Sequence, residues 1–206
     1  MKKNISLLLA FILIISCSTS KDRFLNRKYH KVSTKFNVLF NGKEAFKIGK
    51  KILEDVYEDN FFELLSVEPI FLRGENIDNS TIIPGFQRAE EKAVKAIQKH
   101  SMNIKNFQKN PLIDDSYILL GKARYFDRRF FPSLEAFNYI MENYSKPKTY
   151  LEARIWREKT NIRLNNNELA INNLRGISKR LINNSDFSGT LNASLAQAFI
   201  NNNRLD

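Results

Sequence analysis

The chain has 206 residues and a formal net charge of +11, with 43% apolar and 27% charged residues. This apolar share is enough to build a core and excludes a largely disordered chain. The basic residues are spread among acids along the chain, which disfavours nucleic-acid binding and favours an acidic protein partner or anionic lipid.

The amino terminus has the pattern of a bacterial lipoprotein signal. Two lysines precede an apolar run from Ile5 to Ile15, which has the length of a signal-peptide core and is too short to span a bilayer. The run closes on Ser16 and Cys17, the only cysteine, and a lone exported thiol has no internal disulfide partner. We therefore expect residues 1–16 to be a lipoprotein signal peptide and Cys17 to be acylated as the first mature residue. An ordinary cleaved signal and an uncleaved anchor are the alternatives.

The next segments are predicted from apolar spacing and breaker residues. Residues 17–28 are polar and read as a tether between lipid and fold. Residues 29–60 show two helical patterns on either side of Asn41-Gly42, which predicts a helical hairpin. Residues 61–85 hold several prolines, glycines and asparagines and read as an irregular connection.

From Phe86 onward the pattern is helical, and residues 86–206 are predicted as tetratricopeptide-like repeats. Phe86 to Ser101 carries one apolar stripe. After a turn at Asn110-Pro111, Asp114 and Asp115 stand where a helix amino terminus favours acids, so we interpret them as capping residues rather than catalysts.

Residues 117–144 resemble one tetratricopeptide repeat. Leu120 and Gly121 lie together on the first helix, Ser133 takes the small-residue position, and Phe137 follows four residues later. We expect Gly121 and Ser133 to be small because the two helices cross closely there. A generic helical hairpin is the alternative.

A second, weaker unit covers residues 150–174 and includes Trp156 and Ala170. It is supported by an internal echo, since residues 164–169 (LNNNEL) recur as 200–205 (INNNRL). The predicted fold is all-α, with antiparallel helical hairpins stacked as a tetratricopeptide-like right-handed array whose last repeat is incomplete. Leu191, Leu195, Ala198 and Phe199 would then lack a partner helix, so we expect the amino-terminal fragment of a longer protein.

No residue pattern points to catalysis, so the chain is predicted to be a non-enzyme without cofactor or metal. His30 and His100 have no metal-ligand spacing to cysteines or carboxylates and are expected on the surface. Helical geometry places a possible partner-binding groove on the first helices of the two repeats. Its expected residues are Ile118, Lys122, Tyr125, Phe126, Arg154 and Glu158.

Three residue runs carry a closer family resemblance: 33–46 (STKFNVLFNGKEAF), 89–102 (AEEKAVKAIQKHSM) and 110–140, which contains DDSYILLGKARYFDRRFFPSLEAF. With these runs the chain resembles the gliding-motility and type IX secretion lipoproteins of Bacteroidetes, the SprE/PorW type. The resemblance implies a lipid-anchored protein on the periplasmic face of the outer membrane. It also implies an adaptor that binds protein components of the secretion and gliding apparatus.

Two other functions compete with this expectation. A tetratricopeptide lipoprotein of outer-membrane-protein assembly would share the anchor and the repeats, but would leave the matches in residues 33–46 and 89–102 unexplained. An envelope enzyme acting on peptidoglycan would need a carboxylate or metal constellation, and the sequence offers none.

Overall fold

The structure is a computed structural model that describes residues 18–62, 65–68, 70, 83–181 and 186–203. The signal peptide and Cys17 lie outside these residues, as do residues 63–64, 69 and 71–82 of the predicted connection. The described helices are α1 Phe24–Val32, α2 Phe40–Val56, α3 Pro84–His100, α4 Ile113–Phe126, α5 Phe130–Asn143, α6 Pro147–Arg163, α7 Asn167–Ser178 and α8 Ser188–Asn201. A π-helical segment, Ser33–Leu39, joins α1 to α2, and strands β1 Asn103–Ile104 and β2 Phe107–Gln108 pair antiparallel.

From α2 onward, each helix packs against the next one in the chain, α4 also contacts α6, and α6 also contacts α8. The connections between α4, α5, α6 and α7 are three residues each, which is short enough to force antiparallel neighbours. The predicted all-α array of stacked helices is confirmed. Among the described residues, no helix is both long and apolar enough to cross a membrane.

The α4–α5 pair crosses closely at Gly121. A Cβ atom on Gly121 would stand 2.5 Å from the Phe137 ring, and Ser133 Oγ donates to the Gly121 carbonyl at 2.8 Å. Leu120 packs on the other side, in a cluster with Ala89 and Ala93 of α3. In the second unit, Trp156 lies against aromatic rings of α4 and α5. Ala170 of α7 is fully buried in a cluster with residues of α6 and α8.

The predicted hairpin over residues 29–60 is wrong, because α1, the π-helical segment and α2 follow one another without a turn at Asn41-Gly42. Gly42 serves close packing instead. Its added Cβ would stand 2.7 Å from Leu119 of α4 and 3.0 Å from Lys92 of α3. The predicted tether is also too long, since α1 begins at Phe24 and buried Asn26 donates to the carbonyls of Ser18 and Lys21.

Two other boundaries differ from expectation. Helix α3 begins at Pro84 rather than Phe86, because proline is well suited to the first position of a helix. On α8, Leu191 and Ala198 are buried in a cluster with Ile171 and Leu174 of α7, and Leu195 and Phe199 pack against its edge. The expectation that these side chains lack a partner helix is therefore wrong.

Candidate partner-binding groove

A cavity of about 330 Å³ lies where the alternate helices α2, α4, α6 and α8 face one another. We call it the inner groove. Residues 67 and 68 of the connection between α2 and α3 also line it. The helix residues that line it are Lys50, Glu54, Tyr125, Lys159, Ile162, Arg163, Thr190, Ala193, Ser194 and Gln197.

The chain's own Val67-Glu68 segment is bound in this groove through both backbone and side chain. Val67 N–H donates to Gln197 Oε1 at 2.7 Å, and the Glu68 carbonyl accepts from Arg163 Nη2 at 2.7 Å. Glu68 Oε2 lies 2.8 Å from Lys159 Nζ and accepts from Tyr125 Oη at 3.1 Å. A peptide ligand held in a groove makes the same set of contacts, with main-chain hydrogen bonds and one anchored side chain.

The polar groups that hold Glu68 are fixed by aromatic packing. The Lys159 side chain is only 11% exposed, and its Nζ lies 3.9 Å from the centre of the Trp156 ring. Burial lowers the pKa of Lys159, while the carboxylate of Glu68 acts in the opposite direction. Arg163 Nε donates to Tyr125 Oη at 3.1 Å, so this hydroxyl joins Arg163 to Glu68.

Tyr125 is held as a hydrogen-bond donor. Burial is the main cause that raises its pKa, and Arg163 lowers it while Glu68 raises it. The phenol therefore stays protonated at neutral pH and can donate to a carboxylate. The groove thus presents a lysine and a phenol to the Glu68 carboxylate, and an arginine to the Glu68 carbonyl.

Of the six predicted groove residues, Tyr125 belongs to the inner groove. The placement is wrong for Ile118, Phe126 and Glu158, which are buried between helices and do not line the groove. Ile118 packs with Phe137 and Ile140, and Phe126 stacks on Phe86 with ring centres 5.2 Å apart. Glu158 accepts from Asn161 Nδ2 at 2.8 Å and pairs with Arg157 on its own helix.

The other two predicted groove residues, Lys122 and Arg154, are half-buried and do not line the groove. Lys122 pairs with Glu152 across α4 and α6, and its Nζ lies 4.9 Å from the centre of the Trp156 ring. Lys159, Arg163 and Glu68 were not among the residues predicted from the sequence. Helical spacing offered a signal, because Trp156, Lys159 and Arg163 follow at i, i+3 and i+7 on one face of α6.

The chain matches no protein-family model and no curated protein.

A second polar cluster joins α1 to the end of α3. The expected surface position of the histidines is wrong: His30 and His100 are buried, and their Nδ1 atoms lie 3.0 Å apart. The Asn110 amide donates to Thr34 Oγ1 at 2.8 Å and to the His100 carbonyl at 2.9 Å. In the part of the chain that the structure describes, no three His, Cys, Asp or Glu side chains are grouped to hold a metal.

Proposed function

We propose that the chain is a non-catalytic scaffold or adaptor of the type IX secretion and gliding-motility machinery, anchored by lipid at Cys17 on the periplasmic face of the outer membrane. In this proposal it binds acidic segments of partner proteins in the inner groove. The observation that carries the binding role is the position of Glu68, which lies in the groove as an acidic ligand would.

The family assignment rests on the three residue runs, and their packing supports treating them as one unit. Residues 33–46, 89–102 and 110–140 contribute all eight buried residues of one core cluster, which are Leu39, Ala45, Ala89, Ala93, Leu119, Leu120, Ala123 and Ala136. Gly42 of the first run contacts Lys92 of the second and Leu119 of the third. In this chain the three runs therefore pack as one unit.

The Val67-Glu68 segment competes with partner proteins for the inner groove. A tethered segment acts at an effective concentration of about millimolar, so a partner must compete with Glu68 for Lys159, Arg163 and Tyr125. Opening the groove should therefore increase the affinity for an acidic peptide. Glu68→Lys opens it, because the new ammonium would meet Lys159 and Arg163.

The binding test uses a labelled peptide with the sequence of residues 65–70 (LSVEPI), titrated into the full chain. We expect the Glu68→Lys chain to bind it at least tenfold more tightly than the wild type. Glu91→Lys is the matched control, since it makes the same charge change on an exposed position of α3. Adding Tyr125→Phe to the opened chain should weaken binding, because the donor to the carboxylate is lost.

Two outcomes would argue against an acidic-peptide groove. One is equal affinity of the peptide for the Glu68→Lys and Glu91→Lys chains. The other is unchanged affinity when the peptide carries glutamine in place of its glutamate.

The cellular test is deletion of the gene with measurement of secretion and of outer-membrane composition. The proposal predicts loss of type IX cargo secretion and co-purification of the tagged chain with periplasmic secretion components. A broad depletion of barrel proteins with cargo secretion kept would instead identify an outer-membrane-protein assembly factor.

A further inference from the structure

We call α1, the π-helical segment and Phe40, the first residue of α2, the first helical rod. Val38 and Leu39 are buried near its end, but three other buried side chains are polar and the exposed face is apolar. Asn26, His30 and Thr34 are each at most 2% exposed. On the outer side, six large apolar residues are between 43% and 63% exposed: Phe24, Leu25, Tyr29, Val32, Phe36 and Phe40. We call these six residues the outer stripe.

The outer stripe runs along one side of the rod. Leu25, Tyr29, Val32, Phe36 and Phe40 follow one another at spacings of four, three, four and four residues. This spacing keeps side chains on one face of an α-helix, and the wider turn of the π-helical segment favours the final steps of four. The stripe is thus a continuous apolar surface about 25 Å long.

Basic residues accompany the stripe. Lys21, Arg23, Arg27, Lys28, Lys31 and Lys35 are all exposed, and Asp22 is the one acid in residues 21–40. Two lysines extend over stripe rings, with Lys28 Nζ 5.4 Å from the Phe24 ring centre and Lys35 Nζ 4.9 Å from that of Phe36. Apolar and aromatic residues beside lysines and arginines are typical of a helix that lies in a membrane interface.

We infer that α1 and the π-helical segment lie in the membrane interface. The outer stripe enters the boundary between headgroups and acyl chains, and the flanking lysines and arginines bind anionic phospholipid headgroups. This inference rests on the proposed function for the lipid at Cys17. Only six residues, Ser18 to Arg23, separate that cysteine from α1, and they span at most about 20 Å. The anchor therefore holds the rod close to the lipid surface.

A membrane explains the exposed stripe better than a protein partner does. The stripe begins next to the predicted acylation site, and its basic flanks complement a surface of like negative charges. The stripe and its basic flanks would add a second, apolar and cationic contact to the one that the acyl chains on Cys17 make. The rod would also fix how the helical array is oriented relative to the membrane.

The test measures whether the stripe contacts lipid. The full chain is purified from membranes and reconstituted in vesicles of phosphatidylethanolamine and phosphatidylglycerol that contain dibrominated phosphatidylcholine. Phe36→Trp reports on the stripe, and the parent chain, whose one tryptophan is Trp156 of α6, gives the baseline. Phe131→Trp is the matched control, because Phe131 is an exposed phenylalanine at the start of α5.

We expect bromine to quench the added fluorescence of Phe36→Trp by at least half and to leave that of Phe131→Trp nearly unchanged. Combining Lys28→Glu, Lys31→Glu and Lys35→Glu should reduce this quenching, most strongly at low salt. Equal quenching of the two tryptophan variants would overturn the inference. In a chain shown by mass to be acylated, that result overturns the interfacial helix alone, because the peptide titration tests the inner groove without any membrane.

Discussion

At the scale of single residues, the effect of adding a side chain at a glycine depends on which atoms lie beside it. Gly85 of α3 lies against Gly49 of α2, and a Cβ on Gly85 would collide with the Gly49 backbone. By contrast, a Cβ on Gly176 of α7 would meet no atom within 4 Å. The same residue type thus fixes a helix contact at one position and only weakens a helix at another.

Gly85→Ala should therefore lower the free energy of unfolding by about 2–4 kcal/mol, because backbone atoms cannot move aside as a flexible side chain can. Gly176→Ala, the control, should raise it by up to about 1 kcal/mol through better helix propensity. Chemical denaturation of both variants checks the pair. Similar changes in the two would mean that α2 and α3 do not cross at Gly49 and Gly85.

The buried histidine pair predicts a pH dependence of stability. Burial lowers the pKa of His100 below its usual 6.5, and His30 and Lys95 lower it further. The unfolded chain then binds a proton more readily than the folded one, so stability falls as the pH falls below about 6.5 toward the lowered folded pKa. His100→Gln should flatten this loss between pH 7.5 and 5.5 in denaturant titrations. An unchanged slope in the variant would show that His100 titrates normally.

At the scale of elements, apolar periodicity predicted where helices form, but it did not predict which side of each helix faces the groove. In α3 to α7, apolar residues recur every three or four positions, which is clear enough to identify these segments as helices. Helix α4, however, is buried on most sides, including Ile118, Gly121 and Tyr125, because it contacts α3, α5 and α6. Sequence alone could not say which of its residues reach the groove. The turn predicted at Asn41-Gly42 was wrong for a related reason. From sequence alone, a glycine that allows close helix packing cannot be distinguished from a glycine that allows a turn.

The β1–β2 hairpin was not predicted, because its strands are only two residues long. Its turn residues, Lys105 and Asn106, have φ values of 52° and 64°. Asn106→Gly should raise the free energy of unfolding by about 0.5–1 kcal/mol, since glycine adopts this backbone without strain. The control Asn103→Gly, in β1, should lower it by a similar amount. Thermal unfolding that shifts the same way in both would contradict the turn geometry.

At the scale of the whole molecule, the array is a row of helices that contact near neighbours. Helix α4 lies in the middle of this row, whereas α8 contacts α6 and α7 among the helices. Stability in such arrays is a sum of local terms, so elements with fewer neighbours open at lower cost.

Amide hydrogen exchange should therefore separate the two helices. We expect amides of α4 to exchange only through global unfolding, and those of α8 to exchange through a local opening that costs less free energy. Exchange at low denaturant, followed by mass spectrometry of proteolytic fragments, measures both. Equal opening free energies for α4 and α8 would indicate a single cooperative unit instead.

Both proposals place the molecule at a membrane through Cys17, so the most direct test is the intact mass of the chain extracted from the membrane. The account predicts a protein that lacks residues 1–16 and carries acyl chains on Cys17. An unmodified Cys17, or a chain that retains residues 1–16, would contradict it.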